Sequence, residues 1–253
     1  MFSAINKLKN KLKSFFISDH LVYNNLILPK ESLRFCGVEF RDNNYFVNSA
    51  QLEIERLKKF FNFDINTRIL DVGCGVGRLP IGILSKIGDI QNYTGIDVDR
   101  KSINWCKYHI TKKHPNFHFI YINVKNLRYN PNGKNINNKF SFPFKNKEFD
   151  LIYLYSVFSH MTIEDIDTYL KEFKRILVKS GKIFLTAFIE ENIPDMMINP
   201  KYFDKNWSGP LHCVCYDKKY FESIINNNDF NIDYFEYRNE TDGQSAYYLS
   251  LIK

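Results

Sequence analysis

The sequence predicts an α/β protein built on a doubly wound, largely parallel sheet, and three observations carry that prediction. Apolar runs of strand length alternate with stretches of helical periodicity through the middle of the chain, the pattern of successive β-α-β units. One such run, Ile69-Leu70-Asp71-Val72, leads into Gly73-Cys74-Gly75-Val76-Gly77-Arg78, a strand-to-helix turn in which three alternating glycines remove every other Cβ. The next run, Tyr93-Thr94-Gly95-Ile96-Asp97, also ends in an acid, 26 positions after Asp71. Nucleotide-binding α/β folds place a ribose-binding carboxylate near that spacing.

Taken in order, residues 1–50 stand outside the sheet pattern as a helical extension. Ile5, Leu8, Leu12 and Phe15 fall on one helical face with lysines on the others. Such a face packs on the core or on a second copy, making a homodimer through this segment, in preference to lying on a membrane surface. Residues 51–253 form the main domain. Strands are predicted near 68–72, 92–97, 117–122, 149–155 and 181–187, with helices near 78–87, 100–112 and 162–178. Thr162 and Asp165 make a near capping box for the last helix and Gly181 follows its end. Ile166, Leu170, Phe173 and Leu177 recur at helical spacing and face the sheet. Residues 190–216, with Pro194, Pro200 and Pro210, read as an irregular lid over the carboxyl edge of the sheet. A helix near 217–227 and two alternating strands near 231–238 and 245–252 close the chain as an antiparallel edge hairpin.

Composition narrows the class. The chain has 253 residues, 44% of them hydrophobic, enough for a sizeable core in one elaborated domain. No run approaches the ~20 apolar residues of a membrane span, and lysines at 7, 9, 11 and 13 interrupt the apolar N-terminal positions that a signal peptide needs. Five cysteines, an odd count without export signals, read as reduced thiols in the cytoplasm. The net charge of +7 is spread along the chain without the block of a nucleic-acid interface, and it is compatible with an anionic substrate. The six histidines show no paired ligand spacing and Cys213-x-Cys215 is too isolated for zinc, so no metal is read.

The acid before the glycine turn sets the chemistry. A pyrophosphate at the helix N-terminus would be repelled by Asp71, whereas a ligand carrying an ammonium would be attracted by it. This favours a cofactor with an amino-acid end and a ribose over a nicotinamide dinucleotide, whose loop also spaces its glycines differently. In these residues the chain resembles the class I S-adenosylmethionine-dependent methyltransferases, whose loop runs Asp-x-Gly-x-Gly-x-Gly and whose second strand ends in an acid. The resemblance implies a Rossmann-like seven-stranded sheet with its last strand inserted antiparallel, S-adenosyl-L-methionine as cofactor, and cofactor contacts from Asp71, Gly73, Cys74, Gly75, Gly77, Arg78, Asp97, Val98, Asn123, Val124 and Tyr155. At Asn123 the family more often has an acid that accepts the adenine amino group; an Asn side-chain oxygen can do the same.

Trp105-Cys106, His114-Pro115-Asn116-Phe117, Tyr129-Asn130-Pro131-Asn132-Gly133, Phe142-Pro143 and Ser156-Val157-Phe158-Ser159-His160-Met161 together resemble a bacterial branch of these enzymes associated with capsule and glycan genes. Phe35-Cys36-Gly37-Val38-Glu39-Phe40 is similar to a segment that such enzymes fold over the cofactor. The resemblance implies methyl transfer to a small acceptor, foremost an oxygen of a sugar, nucleotide-linked sugar or phosphorylated intermediate. An amine acceptor and a cofactor-binding module without catalysis are the alternatives. A hydroxyl acceptor needs a base. His160, after the fourth strand, is the first candidate, as base or as loop anchor; His212 in the lid follows, with Glu39 and Tyr216 behind. Tyr153 and Tyr155 share one strand face, and Tyr153 is read as packing.

Overall fold

The computed structural model describes residues 19–35, 37–137, 139–201 and 207–252. The stripe of Ile5, Leu8, Leu12 and Phe15, like Cys36, lies outside them. The first described elements are not helical: β1 (His20–Tyr23) and β2 (Leu26–Pro29) form an antiparallel hairpin. The reason is local, since Asn24 and Asn25 both take positive φ, 50° and 64°, as a two-residue hairpin turn of the tightly twisted kind requires. Helix α1 (Asn43–Phe61) follows, capped by Asp42, whose side chain accepts from the Tyr45 amide, and stopped by Asn62 in the left-handed region. A domain boundary at residue 50 would cut this helix at the fully buried Ala50, so α1 belongs to the core.

The remaining elements alternate as the sequence pattern predicts. They are β3 (Ile69–Val72), α2 (Arg78–Lys86), β4 (Tyr93–Asp97), α3 (Arg100–Cys106), β5 (Phe117–Tyr121), β6 (Phe149–Leu154), α4 (Ile163–Ile176) and β7 (Leu177–Glu190). Then come β8 (Met196–Ile198), β9 (Val214–Asp217), α5 (Lys218–Asn227), β10 (Phe230–Glu236) and β11 (Ser245–Leu251). Helix α3 runs on into a wider π turn, Lys107–Thr111.

The sheet order is β10-β11-β7-β6-β3-β4-β5. All neighbours from β7 to β5 are parallel, and β11 slots antiparallel between β7 and β10. The chain runs β3, β4, β5 to one edge, then crosses back to β6 on the far side of β3. Open α/β sheets bind ligands at the carboxyl ends of strands where the order reverses in this way.

Three local expectations change. Helix α4 ends at Ile176 and β7 begins at once, with Gly181 inside the strand. The pairing jumps from Phe149–Leu177 to Leu151–Lys182, so residues 178–181 bulge out, and a Cβ on Gly181 would meet Leu177 Cγ at 2.5 Å. Thr162 takes the N-cap position of α4 but makes no side-chain cap bond; Asp165 turns into a cavity instead. Residues 190–216 are less irregular than expected. They carry β8 and β9, and β9 pairs parallel with the far end of β7, adding two strands to the seven of the main path.

Apolar clusters cover both sheet faces. Ile166, Leu170 and Phe173 of α4 and Phe221 and Ile225 of α5 are buried on one side, while α1, α2 and α3 bury Ile54, Leu57, Leu79, Ile83 and Ile103 on the other. Each such side chain contributes about 1.5–3 kcal/mol relative to exposure, and together they hold the carboxyl edge of the sheet still.

Candidate functional site

A cavity opens at the carboxyl ends of β3, β4 and β6. Its wall includes Asp71, Gly73, Cys74, Gly75, Arg78, Asp97, Val98, Val124, Tyr155 and His160, most of the set read from the sequence. Asp71 lies within the fully buried β3, one residue before its end, and accepts a hydrogen bond from the Tyr93 hydroxyl at 2.5 Å. Burial pushes its carboxyl up to about 7, against the pull of that bond and of Arg78. Asp97 accepts from the amides of Gly75 at 2.8 Å and Asp99 at 2.7 Å. Burial still lifts it to about 6. The second acid therefore grips the glycine turn as well as facing the cavity.

The turn itself is a cradle. The amides of Gly73 and Cys74 both donate to the Ile96 carbonyl, at 2.8 and 3.0 Å. Gly73 and Gly75 have φ of 74° and 50°, which glycine adopts without a steric penalty. A Cβ on Gly73 would strike Val157 Cγ2 at 2.4 Å, whereas one on Gly75 would meet nothing within 4 Å; it would stand in space left for a ligand. A turn with open space where the Gly75 Cβ would stand, flanked by the acids Asp71 and Asp97, fits an aminoacyl nucleoside such as S-adenosyl-L-methionine.

Five predicted residues are not in the wall. Gly77 caps α2, and a Cβ there would meet Ile110 Cδ1 at 2.8 Å, so it serves packing against the π turn. Asn123 is exposed and its Oδ1 accepts from the Tyr121 hydroxyl at 2.9 Å and Asn130 Nδ2 at 3.3 Å, which turns it away from the cavity. The residues that line the wall beside it are Ile122, Val124 and Ile136, with Met161, Asp165 and Tyr169. His212 is the third: its Nδ1 accepts from the Ser208 amide at 2.7 Å and its ring packs edge-on against Trp207, so it stabilises its own loop. Tyr216 is likewise structural, its buried hydroxyl reaching the carbonyls of Phe158 at 2.7 Å and Met161 at 2.6 Å. Glu39 lines a separate shallow depression with Tyr45 and Thr241.

His160 ends a short turn, Phe158–His160, after β6. Its Nδ1 lies 3.0 Å from the Leu211 carbonyl, an acceptor only, so Nδ1 carries the proton and Nε2 is the acceptor nitrogen of the neutral ring. Burial lowers its pKa to about 4. Tyr129 packs edge-on against the ring, and Asn126 Nδ2 donates to the His160 carbonyl at 2.9 Å. Both also line the cavity, as does Phe35 from the 35–40 segment. Among the described residues none of 190–216 does; that segment reaches the site from behind, through the Leu211 carbonyl.

Sequence reasoning missed a polar cluster beneath the Asp71 end. Tyr153, expected only to pack, lines the cavity and donates to Glu53 Oε2 at 3.0 Å, while Arg78 Nη2 lies 3.1 Å from the same hydroxyl. Glu53 is buried and bound to Arg56, which also pairs with Glu240 at 2.5 Å. The available signal was a glutamate within the apolar face of α1. Tyr155 donates to or accepts from Thr241 Oγ1 at 2.7 Å, and the Arg78 guanidinium stands 4.4 Å over its ring.

Residues 69–181 match a family model described as a methyltransferase domain. Over 122 residues the chain is 27% identical to the ubiquinone biosynthesis O-methyltransferase of Pelagibacter ubique (strain HTCC1062), covering 48% of this chain and 42% of that protein. The chain spans less than half the length of the curated relatives it matches. Among solved structures, the [4+2]-cyclase SpnF superposes with a TM-score of 0.56 at 13% identity, over 81% of this chain and 82% of that one. An S-adenosylmethionine-dependent methyltransferase of Leishmania major does so with a TM-score of 0.57 at 14% identity, over 80% and 73%. These two likenesses establish the fold.

Proposed function

We propose that this chain, whose residues 69–181 match a methyltransferase domain, is an enzyme that uses S-adenosyl-L-methionine to methylate an oxygen of a small acceptor: a sugar, a nucleotide-linked sugar or a phosphorylated glycan intermediate. The observation that carries the reading is one cavity wall holding Asp71, Asp97 and His160 together. When bound, the cofactor supplies an electrophilic methyl on a sulfonium. Asp71 would hold its ammonium and Asp97 its ribose hydroxyls, while Ile122, Val124 and Met161 offer an apolar wall to its base. His160, neutral and protonated on Nδ1 by virtue of the Leu211 carbonyl, presents Nε2 as the group that takes the acceptor's proton. Phe35 and Tyr129, in edge contact at 6.0 Å, narrow the mouth and exclude water.

The acceptor class is supported by the resemblance of residues 156–161 and 129–133 to the capsule and glycan branch, and the oxygen by the name of the Pelagibacter ubique relative, an O-methyltransferase. Lys125 in the wall gives an anionic acceptor a cationic partner. The test is incubation with methyl-labelled cofactor and a panel of sugars, nucleotide sugars and sugar phosphates beside amines, protein and RNA. Label on a hydroxyl of a small carbohydrate is the expected result. Label only on amines, protein or RNA would overturn the proposed acceptor.

A further inference from the structure

Away from the cavity, at the seam between the first hairpin and the π turn after α3, three possible metal ligands converge. Asp19 directly precedes β1, and its carbonyl is held by the Lys30 amide at 3.0 Å and the Trp105 indole N–H at 3.1 Å. That clamp sets its side chain against His109, which is buried in the π turn Lys107–Thr111. His109 Nε2 lies 3.3 Å from Asp19 Oδ1, and His20 Nδ1 lies 3.7 Å from the same oxygen. The two imidazole centroids are 4.5 Å apart, and one donor atom from each of the three residues lies within 4.8 Å of the others.

The spacing is informative. A histidine paired with a carboxylate for its own sake closes up, as His114 and Asp89 do in this same chain at 2.6 Å. Two donors sharing a tetrahedral ion at about 2.0–2.1 Å instead stand about 3.3–3.4 Å from each other. The Asp19–His109 distance matches the second case, and the Asp19–His20 distance is close to it. A π turn inserts an extra residue into a helix and re-aims a side chain, often at a functional position; here the re-aimed side chain is His109.

We infer that Asp19, His20 and His109 form a binding site for a borderline divalent transition metal of the zinc type, with two nitrogens and one oxygen from the protein and a fourth position open to water. None of the three lines the cavity. The ion would staple the hairpin, and through it the 35–40 segment, onto α3, so its role is structural and independent of the methyl acceptor. The sequence concealed the set because Asp19 and His109 are 90 positions apart.

The test uses the full chain without a tag, stripped of metal. Zinc is titrated by calorimetry, and cobalt is followed by visible absorption. Expected are one equivalent bound, a rise in melting temperature with added zinc, and a tetrahedral cobalt spectrum without the thiolate charge-transfer band that Cys74 or Cys106 would produce. His109→Ala and His20→Ala should each weaken binding by about tenfold or more, with circular dichroism confirming the fold, while His114→Ala leaves it unchanged. His20 is partly exposed, so its variant tests the site even where loss of the buried His109 perturbs folding. No stoichiometric uptake, a thiolate band, or wild-type affinity in His20→Ala would overturn the inference.

Discussion

Replacing Asp71 by asparagine should stabilise the unliganded protein at neutral pH while disabling its cofactor site. The carboxyl is buried at the end of β3, and its pKa is raised from 3.8 to about 7 chiefly by burial. The folded protein therefore holds this proton more tightly than the unfolded chain. That advantage is full below the unfolded value of 3.8 and is lost as pH rises through about 7. Roughly three units at about 1.4 kcal/mol each make the ionised group cost up to about 4 kcal/mol at pH 8. Asparagine keeps the acceptor for the Tyr93 hydroxyl and removes only the charge, so Asp71→Asn should gain stability at pH 8 and little near pH 4. The same change deletes the counter-charge for the ammonium. S-adenosylhomocysteine affinity should fall by about 1.5–3 kcal/mol, or roughly 10- to 150-fold. Urea unfolding of the unliganded protein at the two pH values, with calorimetry at pH 8, reads both effects. A variant less stable than wild type at pH 8, or one that binds with unchanged affinity, would refute the assignment of Asp71 as a charge kept at a cost for its ligand.

Other expected outcomes separate the parts of the site. His160→Ala should reduce turnover by about 10²- to 10⁴-fold with S-adenosylhomocysteine affinity unchanged; a wild-type rate would reduce His160 to a loop anchor. Because burial lowers its pKa to about 4, the pH–rate profile of the wild type should show no loss of this base near neutrality and should fall only as pH approaches that value. Gly75→Ala puts a methyl into the open cradle at φ 50° and should weaken cofactor binding more than the ~1 kcal/mol of backbone strain it costs in stability, as calorimetry beside urea unfolding would show. Tyr216→Phe leaves the Phe158 and Met161 carbonyls without their shared donor and should cost about 1–3 kcal/mol in urea unfolding, with KM for the acceptor rising as the His160 turn loosens.

The Asp71 and Asp97 side of the cavity wall was legible because its signals are local. Asp71 and the glycines are consecutive with the strand that carries them, and Asp97 ends the next strand, so strand periodicity alone places both acids at one sheet edge. Even there, one glycine misled. Gly77 shares its spacing with Gly73 and Gly75, yet its φ of 81° serves the close approach of Ile110, a contact that a loop pattern does not contain. Asn123 misled for a related reason: its place after β5 was right, and the hydrogen bonds from Tyr121 and Asn130 that turn it away arise within a loop whose path periodicity does not describe.

The His160 side of the cavity was less legible because backbone carbonyls and distant residues build it. His160 and His212 looked alike as single histidines in loops. What separates them is what each ring nitrogen meets: Nδ1 of His160 meets the carbonyl of Leu211, which makes Nε2 its free acceptor, while Nδ1 of His212 accepts the Ser208 amide and is used up in its own turn. The carbonyl of Leu211 belongs to the same 190–216 segment that the sequence presents as a lid. Among its described residues that segment meets the proposed base through this carbonyl and none lines the cavity, so substitutions at its described positions should change turnover through His160 and leave the Asp71 and Asp97 ends of the proposed cofactor site as they are.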